Sequence, residues 1–405
     1  MGREQANPVA DRADTVKLLH VVSSYLPAVR YGGTIVSVHG LAAALVARGH
    51  DVHVYTTSVD GEGDSNVPHN VPVDLDGVKV WYFRSRHARR LYRSPDLRAA
   101  LAATVAGFDV VHTHAIFLWP LWVAARAAER AGVPYVVSPR GMLERELVSR
   151  KSTLLKGLWL ALVERHTLER AAAIHVTSAR EANEASGFGF RLPPMHEIPN
   201  GVELGPPLRE PVSPMVAAIA GGAPFVLFLG RLNWKKGIDR LMNAVARVPD
   251  VTLVVAGNDE ESYRSVLEGM AARLGVASRV IFTGAVHGAD KAALLERAQL
   301  LVLPSYSENF GNVVVEAMAA GCPVIVTPEV GVAAAVRESE SGWVVEGDAV
   351  SLGRAIAGLM ASPGLRHEMG ARGRAYAAAR FSWDVVARDM EAMYRSLCSH
   401  PDGHS

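Results

Sequence analysis

Short apolar runs that read as strands alternate with segments of helical apolar spacing, and both halves of the chain repeat the pattern. Lys17-Leu18-Leu19-His20-Val21-Val22 reads as a strand, Thr34 to Arg48 as a helix stopped by Gly49, and Asp51 to Thr57 as the next strand. In the second half Phe225-Val226-Leu227-Phe228-Leu229 is a buried strand running into Gly230-Arg231, and Leu241, Ala244 and Val245 mark the following helix. Such alternation predicts an α/β fold with two parallel, doubly wound sheets. A chain of 405 residues exceeds one ordinary core, and its 49% hydrophobic content supplies two interiors.

The expected division is a disordered segment 1–15, a Rossmann-like domain 16–205, a second Rossmann-like domain 206–380, and a C-terminal helix and tail 381–405. The boundary is the proline-rich stretch from Pro199 through Pro206, Pro207, Pro211 and Pro214 to Pro224. Within it Ala217-Ala218-Ile219-Ala220-Gly221-Gly222 reads as part of a helix or a hinge. Phe381-Ser382-Trp383 begins a last amphipathic helix that ends near Tyr394 to Leu397.

Composition excludes several classes. A formal net charge of +1 gives no field for nucleic acid, and no nucleic-acid-binding motif is present. Cys322 and Cys398 are the only cysteines, which leaves no disulfide framework and suits a reducing cytoplasm. The N-terminus lacks the apolar core of a signal peptide, Ala6 breaks a myristoylation pattern, and no apolar run is long enough for a bilayer.

The stretch richest in chemistry lies between strand-like Leu300 to Leu303 and the turn Gly321-Cys322-Pro323. There Glu308 and Glu316 stand with seven residues between them, Asn309, Phe310, Gly311, Asn312, Val313, Val314 and Val315. Gly311 and Asn312 open a helix whose exposed amides and positive dipole end suit a phosphate. Glu316 falls one turn beyond Asn312, where a carboxylate can accept both hydroxyls of a ribose. Glu308 stays in the loop, free to meet whatever is joined to the far phosphate. Upstream, Arg231 and Lys236 lie in Gly230-Arg231-Leu232-Asn233-Trp234-Lys235-Lys236-Gly237, a cationic loop between strand and helix. A guanidinium fork and a mobile ammonium together can neutralise a leaving diphosphate.

In the first half, Gly32 and Gly33 stand at a helix entrance, where glycine lets a backbone approach a ligand and Thr34 is expected to cap. Asp109-Val110-Val111-His112-Thr113-His114 is a short strand ending in two histidines. His112 is expected to turn to the other side of the strand, buried and hydrogen-bonded. With no carboxylate or thiol cluster beside them the pair is a poor metal site. Ser138-Pro139-Arg140-Gly141-Met142 closes the next strand, with Arg140 open to a ligand contact or a structural ion pair.

At the two glutamates the chain resembles the retaining glycosyltransferases of family 4, whose signature is a Glu-x7-Glu pair. The Gly-Arg-Leu and Lys-Gly elements, the Gly-Gly loop, the Asp-Val-Val-His-x-His strand, Ile174 to Ser178 and Ile198 to Val202 match that family too. The resemblance runs from about Lys17 to Leu397 and implies the GT-B fold. In that fold two Rossmann-like domains face each other across a cleft, and a C-terminal helix crosses back to the N-terminal domain. It implies transfer of a sugar from a nucleotide-diphosphate donor, UDP- or GDP-linked, to an acceptor hydroxyl with retention. Glu316 then binds the ribose, Glu308 lies beside the donor sugar, Arg231 and Lys236 hold the diphosphate, and His114 lies near the sugar. Gly32, Gly33 and the loop Asn309, Phe310, Gly311, Asn312 and Val313 are assigned to the donor with them. Catalysis is assigned to His114, Glu308, Arg231 and Lys236. Retention without a protein nucleophile implies same-face substitution, with the departing phosphate taking the acceptor proton. No Asp-x-Asp motif ends a strand, so no metal or other cofactor is expected.

The acceptor is expected to be a sugar or lipid-linked glycan, in polysaccharide or glycoconjugate synthesis. The setting is cytoplasmic, with weak peripheral contact at the inner face of the membrane. That contact is read from Arg84, Arg86, Arg89, Arg90 and Arg93 around Leu91 and Tyr92, and from Arg150, Lys151 and Lys156 beside Leu154, Leu155, Leu158, Trp159 and Leu160. Two segments depart from the family pattern: Thr327 to Ala334, with Val330 before a single Gly331, and Ala256-Gly257-Asn258-Asp259. The alternatives are a nucleotide-sugar epimerase or hydrolase on the same fold, which needs a positioned acid–base set, and an NAD(P) oxidoreductase. The latter requires Gly-x-Gly-x-x-Gly after the first strand, which Ser23 to Gly33 does not supply.

Overall fold

The computed structural model describes residues 15–28, 32–143, 157, 159–204, 211–259 and 262–399. Its strands in chain order are β1 (Lys17–Ser24), β2 (Asp51–Thr57), β3 (Val59–Asp60), β4 (Gly63–Asp64), β5 (Pro72–Leu75), β6 (Val78–Phe83), β7 (Val110–His114) and β8 (Tyr135–Ser138). They continue as β9 (Ala173–Val176), β10 (Met195–Glu197), β11 (Phe225–Leu229), β12 (Thr252–Ala256), β13 (Val280–Gly284), β14 (Leu300–Leu303), β15 (Val324–Val326) and β16 (Gly342–Val344).

The chain divides into two compact units. One holds the described residues up to His175, Phe188–His196 and those from Ala387 onward; the other holds Val176–Gly187 and Glu197–Val386. An eight-stranded sheet, ordered β10-β9-β8-β7-β1-β2-β6-β5, organises the first. It is parallel from β9 to β6, and β5 joins antiparallel at the edge. The second unit has six strands, β13-β12-β11-β14-β15-β16, paired in parallel throughout. Strands β11 and β14 are buried at every residue, as expected for a parallel sheet covered by helices on both faces. Two doubly wound sheets are therefore the architecture that the strand–helix alternation predicts.

The strand order fixes where ligands can be received. In the first sheet β1 lies between β7 and β2, and in the second β11 lies between β14 and β12. The connections reverse direction there, so a crevice opens beyond the carboxyl ends of these strands. His114 is the last residue of β7; Arg231 follows β11 by two residues, and Glu308 lies in the loop after β14.

Local details refine the expectations. The first helix spans Gly33–Ala47 with Gly32 as its N-cap, and no side chain caps it, so Thr34 lies inside the helix instead of closing its end. The alanine-rich run near the boundary is helical, Pro214–Ala220, with proline in the first turn. The last helix is Trp383–Cys398. From Ala387 onward it counts with the first unit, where Glu391 accepts from Arg48 Nε at 2.7 Å. Among the described residues no helix is long and apolar enough to cross a membrane.

Candidate active site

The loop after β11 folds as a short 3-10 turn, Trp234–Lys236, whose cap is the Asn233 side chain accepting from the Lys235 amide at 2.9 Å. The Tyr306 amide donates to the Lys235 carbonyl at 2.7 Å, which ties this loop to the one after β14. The result is an ion pair between the Lys236 ammonium and Glu308 Oε2, with the side chains only 21% and 18% exposed. Two of the predicted site charges thus neutralise each other. Arg231 stands exposed at the start of the same cationic loop.

Glu308 is held through its backbone as well. Its amide donates to the Glu329 carbonyl at 3.1 Å, and its carbonyl accepts from Gly331 at 2.9 Å. Gly331 belongs to the segment that departs from the family pattern. A Cβ there would overlap the Asn309 carbonyl, so the close approach of these two loops requires glycine.

The helix Asn312–Ala320 starts from Gly311 at φ +99°, a left-handed conformation that favours glycine, and no side chain caps it. The Val314 amide turns back to the Gly311 carbonyl at 2.9 Å, and the positive dipole end of the helix lies at this loop. Asn312 Oδ1 accepts from Asn200 at 2.8 Å, and Asn309 Nδ2 donates to Thr177 Oγ1 at 3.0 Å. The family-like segments at Ile198 to Val202 and Ile174 to Ser178 thus serve to brace this loop. Glu316, one turn into the helix, pairs with Lys291 Nζ at 2.9 Å. Lys291 comes from the helix Gly288–Arg297 and escaped the sequence reading, since only tertiary packing of the two helices brings it there. The side chains of Phe310 and Val313 pack toward the interior. Phe310 is 4% exposed with its ring edge-on to Phe381, and Val313 packs against the same core.

In the first unit every residue of β7 is buried. His20 on β1 is in register with His112. Residues two apart on a strand share a face, so the rings of His112 and His114 lie side by side, tilted at 34° with centroids 4.1 Å apart. This corrects the expectation that His112 turns to the other side; that it is buried and hydrogen-bonded holds. His112 Nδ1 lies 2.6 Å from Tyr394 Oη of the last helix, and its Nε2 lies 2.7 Å from Ser138 Oγ. His114 Nε2 lies 2.8 Å from His20 Nδ1, and Arg140 donates to its Nδ1 at 3.1 Å.

Candidate donor atoms of His20, His112 and His114 all lie within 4.8 Å of one another. The trio is larger than the pair read from sequence, and the parallel pairing of β1 with β7 was the signal that could have found it. Burial, and after it the charge of Arg140, lowers His20 to about 3. Burial first, then neighbouring charges, pushes His112 and His114 well below the ordinary imidazole range. All three rings are therefore neutral at pH 7.

The basic residues read as a membrane-facing set divide. Arg84, Arg86, Leu91 and Arg93 are exposed, as is Arg90, while Arg89 pairs with Asp64 at 3.0 Å. Trp159 and Leu160 turn inward. The indole N–H of Trp159 donates to Glu164 at 2.8 Å, and Leu160 is 8% exposed. Arg150, Lys151, Leu154, Leu155, Lys156 and Leu158 lie outside the described residues.

The family described as Glycosyl transferases group 1 matches residues 213–376, and that described as Glycosyl transferase 4-like domain matches residues 32–201. A D-inositol 3-phosphate glycosyltransferase of Streptomyces scabiei is 30% identical over 408 residues, covering 90% of this chain and 86% of its own. Among solved structures, a sucrose-phosphate synthase from Thermosynechococcus elongatus superposes with a TM-score of 0.77 at 25% identity, covering 95% of this chain and 99% of its own. Anabaena HepE in complex with UDP and glucose gives 0.75 at 23% identity, with 94% and 100% covered.

Proposed function

Since the chain belongs to the group 1 glycosyl transferases, GT-B enzymes that draw a sugar from a nucleotide-sugar donor, we propose that it transfers that sugar with retention, without a metal ion, to the hydroxyl of a phosphorylated or glycan acceptor. The observation that carries this reading is the Lys236–Glu308 pair in the loops after β11 and β14, beside the N-terminus of the helix Asn312–Ala320, which no side chain caps.

A donor diphosphate draws Lys236 from Glu308 and adds Arg231 and the first helix amides as partners. Glu316, paired with Lys291, accepts the ribose hydroxyls, and Glu308, released, meets the sugar. As the glycosyl–phosphate bond breaks, negative charge grows on the diphosphate. Preorganised cations and amides stabilise it there. The acceptor oxygen bonds to the anomeric carbon on the face the phosphate leaves, and its proton passes to a phosphate oxygen.

Uridine is the base supported by the Anabaena neighbour solved with UDP and glucose. The relatives named for inositol 3-phosphate make a phosphorylated polyol the first acceptor to try, with lipid-linked glycans of polysaccharide or glycoconjugate synthesis next. Free Cys322 and Cys398 fit a reducing cytoplasm. Thermal shifts with UDP, GDP and their sugars test the donor, since a ligand at a hundredfold excess over Kd stabilises by about 2.7 kcal/mol. UDP-sugars are expected to raise the melting temperature and GDP-sugars to leave it unchanged; the reverse removes the uridine assignment. The anomeric configuration of the product, read by NMR, is expected to match the donor, and an inverted product contradicts retention.

A further inference from the structure

The resemblance places His114 by the donor sugar, yet both its ring nitrogens are engaged inside the first unit. Nδ1 lies 3.1 Å from an Arg140 guanidinium nitrogen, and Nε2 lies 2.8 Å from His20 Nδ1. An arginine only donates. His114 Nδ1 is therefore an acceptor without a proton, and the neutral ring carries its proton on Nε2. That proton can go only to His20 Nδ1. His20 in turn carries its own proton on Nε2, an atom that is buried and has no partner among the described residues. One tautomer of each ring satisfies the chain, and the arginine sets its direction.

His112 belongs to a separate chain. Tyr394 Oη and Ser138 Oγ take its two nitrogens, and Ser138 Oγ lies 2.6 Å from His175 Nδ1. It has no nitrogen left with which to relieve His114. Arg140 stands just past β8 at φ +56°, followed by Gly141 at φ +73°, in a sharp turn at the carboxyl end of the sheet. A guanidinium has five N–H donors, and one of them goes to His114.

We propose that His20 is a positioning residue: by accepting the Nε2 proton of His114 it keeps His114 Nδ1 bare, and the bare nitrogen holds the Arg140 guanidinium in place at the carboxyl end of this sheet. Only the kinetic part of this proposal rests on the transferase reading. Neutral rings, kept so by burial, are a condition for it.

Long-range ¹H–¹⁵N spectra of the full chain, labelled at histidine, read each tautomer directly. At pH about 7 both His114 and His20 are expected to be protonated at Nε2 and bare at Nδ1. An Nδ1–H form of His114 overturns the proposal. So does a metal-shifted nitrogen resonance on His20 or His114, as ligation of zinc by the trio would produce. The variant His20→Phe keeps a flat ring but removes the acceptor. It is expected to mix the His114 tautomers and lower kcat roughly tenfold with UDP affinity unchanged. His20→Asn, whose side-chain oxygen replaces Nδ1, is expected to restore most of the loss. Wild-type turnover with a wild-type His114 spectrum in His20→Phe overturns the proposal. Should that variant fail to fold, the wild-type spectrum decides alone. The expected spectrum in a protein without transferase activity counts against the transferase reading and supports the positioning one.

Discussion

Lys236 and Glu308 pair with each other, which gives their substitutions unequal consequences. Glu308→Ala leaves Lys236 without its competing carboxylate. Titration calorimetry is expected to show UDP binding at least as tightly as to wild type, while turnover falls on the order of 10²–10³. Glu316→Ala loses hydrogen bonds to a charged acceptor worth about 1.5–3 kcal/mol each before water compensates, so UDP is expected to bind more weakly. Equal affinity in both variants would contradict the division of labour. The glutamates and Lys236 were legible because spacing along a strand–loop–helix unit is local. Lys291 was not, because its contact with Glu316 depends on how two helices pack. The buried histidines carry a prediction of their own. Their folded pKa values lie below the ordinary 6.5, His20 at about 3. In acid the unfolded chain takes up protons that the folded one refuses. Stability present at pH 7 therefore falls as pH drops below about 6.5, by about 1.4 kcal/mol per pH unit for each such ring. Urea midpoints at pH about 7.5 and about 5.5 check this, and equal midpoints would contradict neutral burial.

At the scale of elements, strands and helices announced themselves by period, and the switch points followed from which strand pairs with which. What period did not reveal was loop against loop. The segment Thr327 to Ala334 departs from the family pattern, yet it runs beside Glu308 and donates to its carbonyl from Gly331. Gly331→Ala would press a methyl group on the Asn309 carbonyl. It is expected to cost about 1–3 kcal/mol in urea unfolding and to lower kcat by displacing Glu308. Unchanged stability and turnover would show that this loop contact is loose. The misplaced helix cap has a similar origin. Thr34 has the side chain for a cap, but the helix begins one residue earlier, where Gly32 leaves the end to backbone alone. His112 was a misreading of strand period itself, since positions two apart share a face.

For the whole molecule, the last helix was legible as an amphipathic segment, while its partners in the first unit, Arg48 and His112, lie hundreds of residues away in sequence. Among the described residues Arg84, Arg86, Arg90 and Arg93 are exposed around Leu91, and the membrane contact expected of them is testable. At about 1 kcal/mol per near-surface cation, weak co-sedimentation with anionic vesicles is expected at low salt and none at high salt. No binding at low salt would point to an acceptor free in solution. The central claim is metal-free transfer from a nucleotide sugar by protein cations, and one assay tests it most directly: release of UDP from the UDP-sugar that stabilises the protein most, in EDTA, with and without acceptor. The account predicts release that depends on acceptor, persists in EDTA and is lost when Arg231 and Lys236 are both replaced by alanine. Release that needs no acceptor, an isomerised donor without release, or activity that appears only on adding magnesium or manganese would contradict it.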